Sequence, residues 1–312
     1  MKLRPLAFSL VVLLLAAPAN AADIRVVASF SILGDIVRAV GGDRVETTTI
    51  VGPDADTHIY EPKPSDAAAL SKADLVVVNG LGFEGWIDRL KGASGYAGAW
   101  IVASDGVATH VMTDEGHDDA MGEGAQGRDP GELDPHAWQS LRNGAIYAEN
   151  IRKGLCSVDA TGCDIYSANA KAYVDSIMAL DADVRARIDA VPITQRKVIT
   201  SHDAFGYFAE GYGVAFLSPE GMSTDAEPSA AGVARLIIQI KSEGVKALFL
   251  ENMSDPRLIS QIAKETGIQP GGTLYADALS PPDGPAATYL DMFAHNAALL
   301  IAAMSGTQEE ER

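Results

Sequence analysis

The sequence predicts an α/β protein of two lobes, each a mainly parallel sheet flanked by helices, joined by one long rigid backbone helix with a cleft between them. Three observations carry this. Short apolar runs alternate with helix-length patterns through both halves of the chain, the signature of βαβ units. The 312 residues are more than one lobe of about 100–200 residues needs. One unbroken helical stripe lies mid-chain, where Tyr173, Ile177, Leu180, Val184, Ile188 and Val191 are spaced four, three, four, four and three apart.

In chain order, Lys2 and Arg4, an apolar run from Leu6 to Ala17 and the small residues Ala19-Asn20-Ala21 read as a cleavable export signal over residues 1–21. The apolar run is shorter than the ~20 residues of a membrane span. The expected compartment is the periplasm, and no cysteine follows the cleavage site to carry a lipid. The first lobe is expected over 22–160, with strands at 24–29, 46–51, 75–79 and 100–103 and helices at 33–40, 65–72 and 83–91. Residues 104–134 lose periodicity and fill with Gly, Asp and Glu; a loop of that length is functional or solvated. Helical patterning returns at 138–155. The long stripe marks a linking helix over 164–191 that stops short of Pro192, about 40 Å at 1.5 Å per residue. The second lobe, 192–306, repeats the alternation, with strands at 197–201, 214–217, 247–250 and 273–275 and helices at 204–212, 230–242, 256–266 and 286–304.

Asp and Glu number 42 against 24 Lys and Arg, a formal charge of −18. Such acidity repels nucleic acid and anionic lipid, and suits either cation attraction or plain solubility. Cys156 and Cys163 are the only cysteines; in an oxidising compartment they read as one disulfide across a short bend.

Four positions carry candidate chemistry. His58 sits on a stiff mount, between the turn Gly52-Pro53-Asp54 and the prolines Pro62 and Pro64. His136 lies between the Asp134-Pro135 turn and a helix start. His202 stands at the carboxyl end of a strand, where open α/β sheets bind ligands, and Asp277 just past the last strand. Singly, each has a plain alternative: a solvated loop histidine, a turn filler, a core histidine, a helix cap. Together, three imidazoles and a carboxylate make a tetrahedral N3O set, which suits zinc and disfavours calcium or magnesium.

These motifs also carry a resemblance. His58-x-Tyr60-Glu61-Pro62, Asp134-Pro135-His136-x-Trp138, Ser201-His202-Asp203-Ala204-Phe205, Leu248-Phe249-Leu250-Glu251 and Tyr275-Ala276-Asp277 resemble those of the zinc and manganese substrate-binding proteins of bacterial ABC transporters. More narrowly, they resemble the AztC-type zinc-binding proteins. The resemblance implies one metal ion in the interlobe cleft, with ligands on His58, His136, His202 and Asp277. It implies a membrane permease as partner, and a monomer that takes zinc from the periplasm or from a helper protein. Manganese members usually place a glutamate where His202 stands, which favours zinc here; manganese or iron transport is the alternative. Glu251 orients a ligand histidine or balances charge, or is a strand-end surface acid. His110 and His117, set among acids, are candidates for transient metal capture or ordinary members of a solvated segment. Imidazole ligation implies an affinity that falls below about pH 6.5.

Two other chemistries compete. Gly80-Leu81-Gly82-Phe83-Glu84-Gly85, with Asp105 beyond it, matches the dinucleotide fingerprint, yet it follows the third strand rather than the first. It reads better as a tight turn near the cleft, flanked by Phe83 and Trp86. A zinc hydrolase needs an open metal position, which four protein ligands would close. No HExxH, G-x-S-x-G or P-loop is present. The expectation is a non-enzymatic binding protein.

Overall fold

Two four-stranded, all-parallel sheets organise the protein, in a computed structural model that describes residues 24–110, 133–224, 228–245 and 247–306. The first contains β1 (Ile24–Phe30), β2 (Val45–Val51), β3 (Leu75–Val78) and β4 (Ala99–Val102) in the order β2-β1-β3-β4. The second contains β5 (Lys197–Ile199), β6 (Ala215–Leu217), β7 (Ala247–Glu251) and β8 (Pro270–Leu274) in the equivalent order β6-β5-β7-β8. In each sheet the chain reverses direction of travel beside its first strand, which opens a crevice at the carboxyl ends of the central strands. Central strand β3, Leu-Val-Val-Val, is buried throughout, as a strand covered on both faces must be.

Helices α1 (Ser31–Gly41), α2 (Pro64–Leu70) and α3 (Ile87–Ser94) connect the first sheet, and α6 (Gly206–Tyr212), α7 (Ala230–Glu243), α8 (Pro256–Thr266) and α9 (Tyr289–Ser305) serve the second. Between them run α4 (Leu141–Val158) and α5 (Cys163–Asp189). At 27 residues, α5 is about 40 Å long. It buries Tyr166, Ala170, Ile177, Val184 and Ile188 along one stripe. Asp181 interrupts that stripe and is also buried. Its carboxylate accepts from Tyr212 of α6 at 2.7 Å and from Arg142 of α4 at 3.3 Å, so one acid ties the long helix to both lobes.

The apolar core follows the same plan. A single connected cluster takes in Phe30, Trp138 and Tyr147 from the first lobe and Phe208, Ala276 and Phe293 from the second. A separate, smaller cluster (Ile240, Leu248, Ile259 and Ile262) lies under α7 and α8. Across the interlobe seam, the buried Tyr289 hydroxyl donates to the Trp138 carbonyl at 2.6 Å and the Tyr289 N–H donates to Asp35 at 2.9 Å.

Differences from the sequence expectation are local. The expected helix at 83–91 begins only at Ile87, because Gly80 to Trp86 form a turn around a buried acid. Glu84 there accepts from Ser29 Oγ at 2.6 Å and from the N–H groups of Asn79 and Gly80 at 2.6 and 3.2 Å. Burial pushes its carboxyl upward against those bonds. The fingerprint match is thus a cap built from a carboxylate, with no opening for a pyrophosphate. Strand β8 runs earlier than expected, over Pro270–Leu274, with a register shift against β7. Among the described residues no helix is long and apolar enough to cross a membrane; residues 1–21 lie outside them.

Cys156 and Cys163 form a disulfide that pins the α4–α5 turn. Inside that turn Asp159 accepts from Arg44 Nη2 at 2.7 Å and from the Tyr166 hydroxyl at 2.7 Å. A Cβ on Gly162 would sit 2.3 Å from Asp159 Oδ2, which is why the turn needs glycine there. For so short a loop the chain-entropy model gives about 2.5 kcal/mol from the crosslink. The disulfide closes the far end of α4 from His136, with Cys156 about 22 Å along the helix axis from Leu141. The double variant Cys156→Ser/Cys163→Ser is therefore expected to lose roughly that much stability in denaturant unfolding, while affinity for the metal expected in the cleft stays as in the parent. A matching loss of affinity would show the turn to be coupled to the cleft.

Candidate metal centre

Every candidate ligand follows the carboxyl end of a strand. His58 comes after β2, His136 after β4, His202 after β5 and Asp277 after β8, so the two crevices face each other with one pair of donors on each side. Local turns hold the first pair. Asp56 and Asp134 each stand two residues before a histidine and accept its backbone N–H, at 2.8 Å for His58 and 2.9 Å for His136, in Asx-type turns. Trp86 Nε1 donates to the Thr57 carbonyl at 2.8 Å, fixing the chain beside His58 from below. Phe83 packs edge-on against His58, ring centroids 4.8 Å apart, and against His136 at 5.9 Å.

The four side chains meet. One ligand atom from each of His58, His136, His202 and Asp277 lies within 4.8 Å of all the others. His202 Nε2 is 3.0 Å and His58 Nε2 3.3 Å from Asp277 Oδ2; His136 Nε2 is 3.7 Å from Asp277 Oδ1 and 3.3 Å from His58 Nε2. A tetrahedral ion bound at about 2.0–2.1 Å holds its donors about 3.3 Å from one another. The observed spacings bracket that value.

Orientation separates this cluster from an ordinary salt-bridge network. Both oxygens of Asp277 and Nε2 of His202 are buried and have no hydrogen-bond partner, although ionic contacts lie at 3.0–3.3 Å. The atoms are close yet not aligned on one another, because they converge on a common point. A buried carboxylate left without hydrogen bonds is costly, and a cation at that point removes the cost.

The outer nitrogens are tied down. His136 Nδ1 lies 2.8 Å from Asp134 Oδ1. His202 Nδ1 pairs with Glu251 Oε2, while Glu251 Oε1 accepts from the N–H groups of Ser201 at 2.7 Å and His202 at 3.1 Å. With Nδ1 directed at a carboxylate, each ring turns Nε2 inward, the arrangement of a carboxylate–histidine–metal triad. Burial alone would push the His202 imidazole down, but Glu251 and Asp277 outweigh it and raise His202 well above its ordinary value. Burial alone would likewise raise Asp277, but His202 and His136 hold it well below.

Asp134, Glu84 and Asp56 carry roles the sequence reading did not assign. The repeated Asp-x-His of 56–58 and 134–136 was the available signal for two of them. His110 stands outside the cluster, its Nε2 3.1 Å from Glu210 Oε2. His117 lies outside the described residues.

A family model described as ZnuA, zinc-uptake complex component A periplasmic, matches residues 26–303. The chain belongs to this family. As a ZnuA-family member it is a periplasmic metal-binding, substrate-binding protein of the ABC transporter type, and not an enzyme. Relatives within this family bear different metals in their names. The manganese-binding lipoprotein MntA of Halalkalibacterium halodurans is 31% identical over 282 residues, 90% of this chain and 89% of that protein. The iron-binding protein YfeA of Yersinia pestis is 32% identical over 273 residues, 88% of this chain and 84% of its own. The periplasmic zinc-binding protein TroA of Treponema pallidum superposes with a TM-score of 0.80 at 25% identity, covering 91% of this chain and 99% of that one. The two-lobed ZnuA fold is therefore shared by proteins named for three metals.

Proposed function

We propose that this protein captures Zn(II) in the periplasm, one tightly held ion per chain, and delivers it to the permease of an ABC transporter, in the manner of the AztC type. His58, His136 and His202 donate neutral imidazole nitrogens and Asp277 a carboxylate oxygen. The observation that carries this is the convergence of four donors, three nitrogens and one oxygen, within 4.8 Å of one another, three of them buried and His58 half-buried. Three imidazoles are borderline-soft ligands that suit zinc. One chain supplies all four, so a monomer suffices, and uptake from a helper protein would load the same site.

Manganese or iron is the second reading, favoured by the metals that MntA and YfeA are named for. Both ions prefer harder, more oxygen-rich shells than the donor set here offers. Four protein donors also leave no open position for the water of a zinc hydrolase.

The deciding experiment is a competition titration of the mature protein with Zn(II), Mn(II) and Fe(II), run across pH. Zinc should bind one per chain and outcompete the other two by more than the general affinity order of these ions supplies. Zinc must compete with protons for the imidazole nitrogens, that of His202 included. Since that imidazole is raised, affinity should already decline as pH falls toward its ordinary value, rather than only below it. The raised His202 stabilises the metal-free fold below its unfolded value, and that contribution is lost as pH rises through the folded value. The depressed Asp277 contributes above its own unfolded value and fades in acid. Preferred retention of manganese, or an affinity flat from about pH 5 to 8, would defeat the zinc reading.

A further inference from the structure

We infer that Gly206 and Tyr207, at the start of α6 in the second lobe, are positioning residues for the ligand His136 of the first lobe, acting through Asp134. The inference rests on His136 being a metal ligand and goes beyond it, since neither residue touches the metal position.

Asp134 is the intermediary. Its Oδ1 accepts from the His136 N–H at 2.9 Å and lies 2.8 Å from His136 Nδ1, so the rotation of this carboxylate sets the rotation of the ring. Its other oxygen, Oδ2, is buried and has no hydrogen-bond partner. That oxygen points at Gly206: a Cβ there would sit 2.5 Å from Asp134 Oδ2, well inside van der Waals contact. Gly206 does not have a positive φ, so its backbone would accept alanine and only the Asp134 oxygen refuses it. The missing side chain of the second lobe is the slot in which the carboxylate of the first lobe is parked.

The next residue holds the backbone of the same acid. The buried Tyr207 hydroxyl donates to the Asp134 carbonyl at 3.0 Å and accepts from the His110 N–H at 3.1 Å. The Asp134 N–H in turn donates to the His110 carbonyl at 3.0 Å. The two ends of the acidic segment are thus clasped together on one tyrosine of the opposite lobe, and the His110 ring stacks edge-on against it at 5.5 Å. Side chain and main chain of Asp134 are both fixed from across the cleft. A shift of α6 relative to the first lobe would carry Asp134 with it and turn His136 away from the other three donors. Partners that orient a ligand histidine usually matter about 10- to 100-fold in metal affinity, most of it expressed as faster release.

The test uses the mature chain loaded with Co(II) alone, whose visible bands report ligand geometry, followed by chelator-driven Zn(II) release. Gly206→Ala is the decisive variant, because alanine favours helix over glycine and a purely local effect would leave the metal-free melting temperature unchanged or raise it. The expected result is altered cobalt bands and zinc release about 10- to 100-fold faster, with a loss of metal-free stability no larger than that of the Phe208→Leu control. Tyr207→Phe should move the bands and the rate in the same direction. Phe208→Leu, one residue along α6 and packed on Phe216 and Phe293 instead, is the control for general weakening of the helix. Wild-type bands and rates in both Gly206→Ala and Tyr207→Phe would overturn the inference, as would equal changes in Phe208→Leu. Failure of the unaltered protein to bind cobalt at all would overturn the metal centre itself and this inference with it.

Discussion

Asp277→Ala should bind zinc several hundred-fold more weakly than the parent, while its metal-free form loses only a modest part of its stability. The two halves of that expectation come from the same atoms. In the metal-free protein both Asp277 oxygens are buried with no hydrogen bonds, so deleting them removes a desolvation cost that offsets part of the attraction to the imidazoles; the attraction is the larger, since it holds the carboxyl well below its ordinary value. In the loaded protein the carboxylate is the one anionic donor facing the ion. Removing one charged partner from a buried set costs about 3–5 kcal/mol, which is roughly 200- to 5,000-fold in affinity. Melting curves with and without zinc separate the terms, because a ligand at about 1,000 times its Kd adds about 4 kcal/mol of stability. That increment should vanish in the variant at the zinc concentration that saturates the parent. An Asp277→Ala protein with a parental zinc-induced shift would remove the residue from the metal site.

For Glu251 the larger effect is on the fold, and the informative comparison is between two substitutions. Glu251→Ala leaves the buried N–H groups of Ser201 and His202 without acceptors and His202 Nδ1 without its partner. At about 1–3 kcal/mol for each orphaned donor, the metal-free protein should lose about 2–6 kcal/mol from the two backbone N–H groups alone. Glu251→Gln keeps an oxygen for the two backbone donors but puts an amide N–H against His202 Nδ1. The ring then accepts at Nδ1 and carries its proton on Nε2, the nitrogen that faces Asp277 at 3.0 Å. Glutamine should therefore spare most of the stability and still weaken zinc about 10- to 100-fold. Denaturant midpoints and zinc titrations on the two proteins side by side decide this. A glutamine variant that is as unstable as the alanine one, yet binds zinc normally, would make Glu251 a purely structural acid.

The parts of this molecule that can be read from sequence are those governed by local chemistry. Leu75 to Val78 declare a buried parallel strand by being apolar at every position, and the stripe on α5 declares a helix by its spacing. The four donors could be singled out because each stands at a turn or strand end, in a residue type that binds zinc. What sequence does not show is what a side chain meets after folding. Nothing in the stripe on α5 marks Asp181 as buried, because its partners Tyr212 and Arg142 come from two other helices. Gly80 to Gly85 imitate a phosphate loop, and only the fold reveals that Glu84 fills the turn from within. Asp134 lies two residues from its histidine in sequence, but the glycine that makes room for it lies 72 positions away.

The seam between the lobes also bears on timing. Trp138 and Tyr289 sit in one dry interior shared by both halves, bonded to each other across it. Parting the halves widely enough to wet even one such ring would expose about 150–250 Å², at about 25 cal/mol per Å², or about 4–6 kcal/mol. Thermal motion reaches such a gaping form in fewer than roughly one molecule in a thousand. A cargo held this way does not leak on its own schedule. On the transport reading, the work of unloading would fall to the docked transporter, whose grip on the two halves would set when the ion is let go.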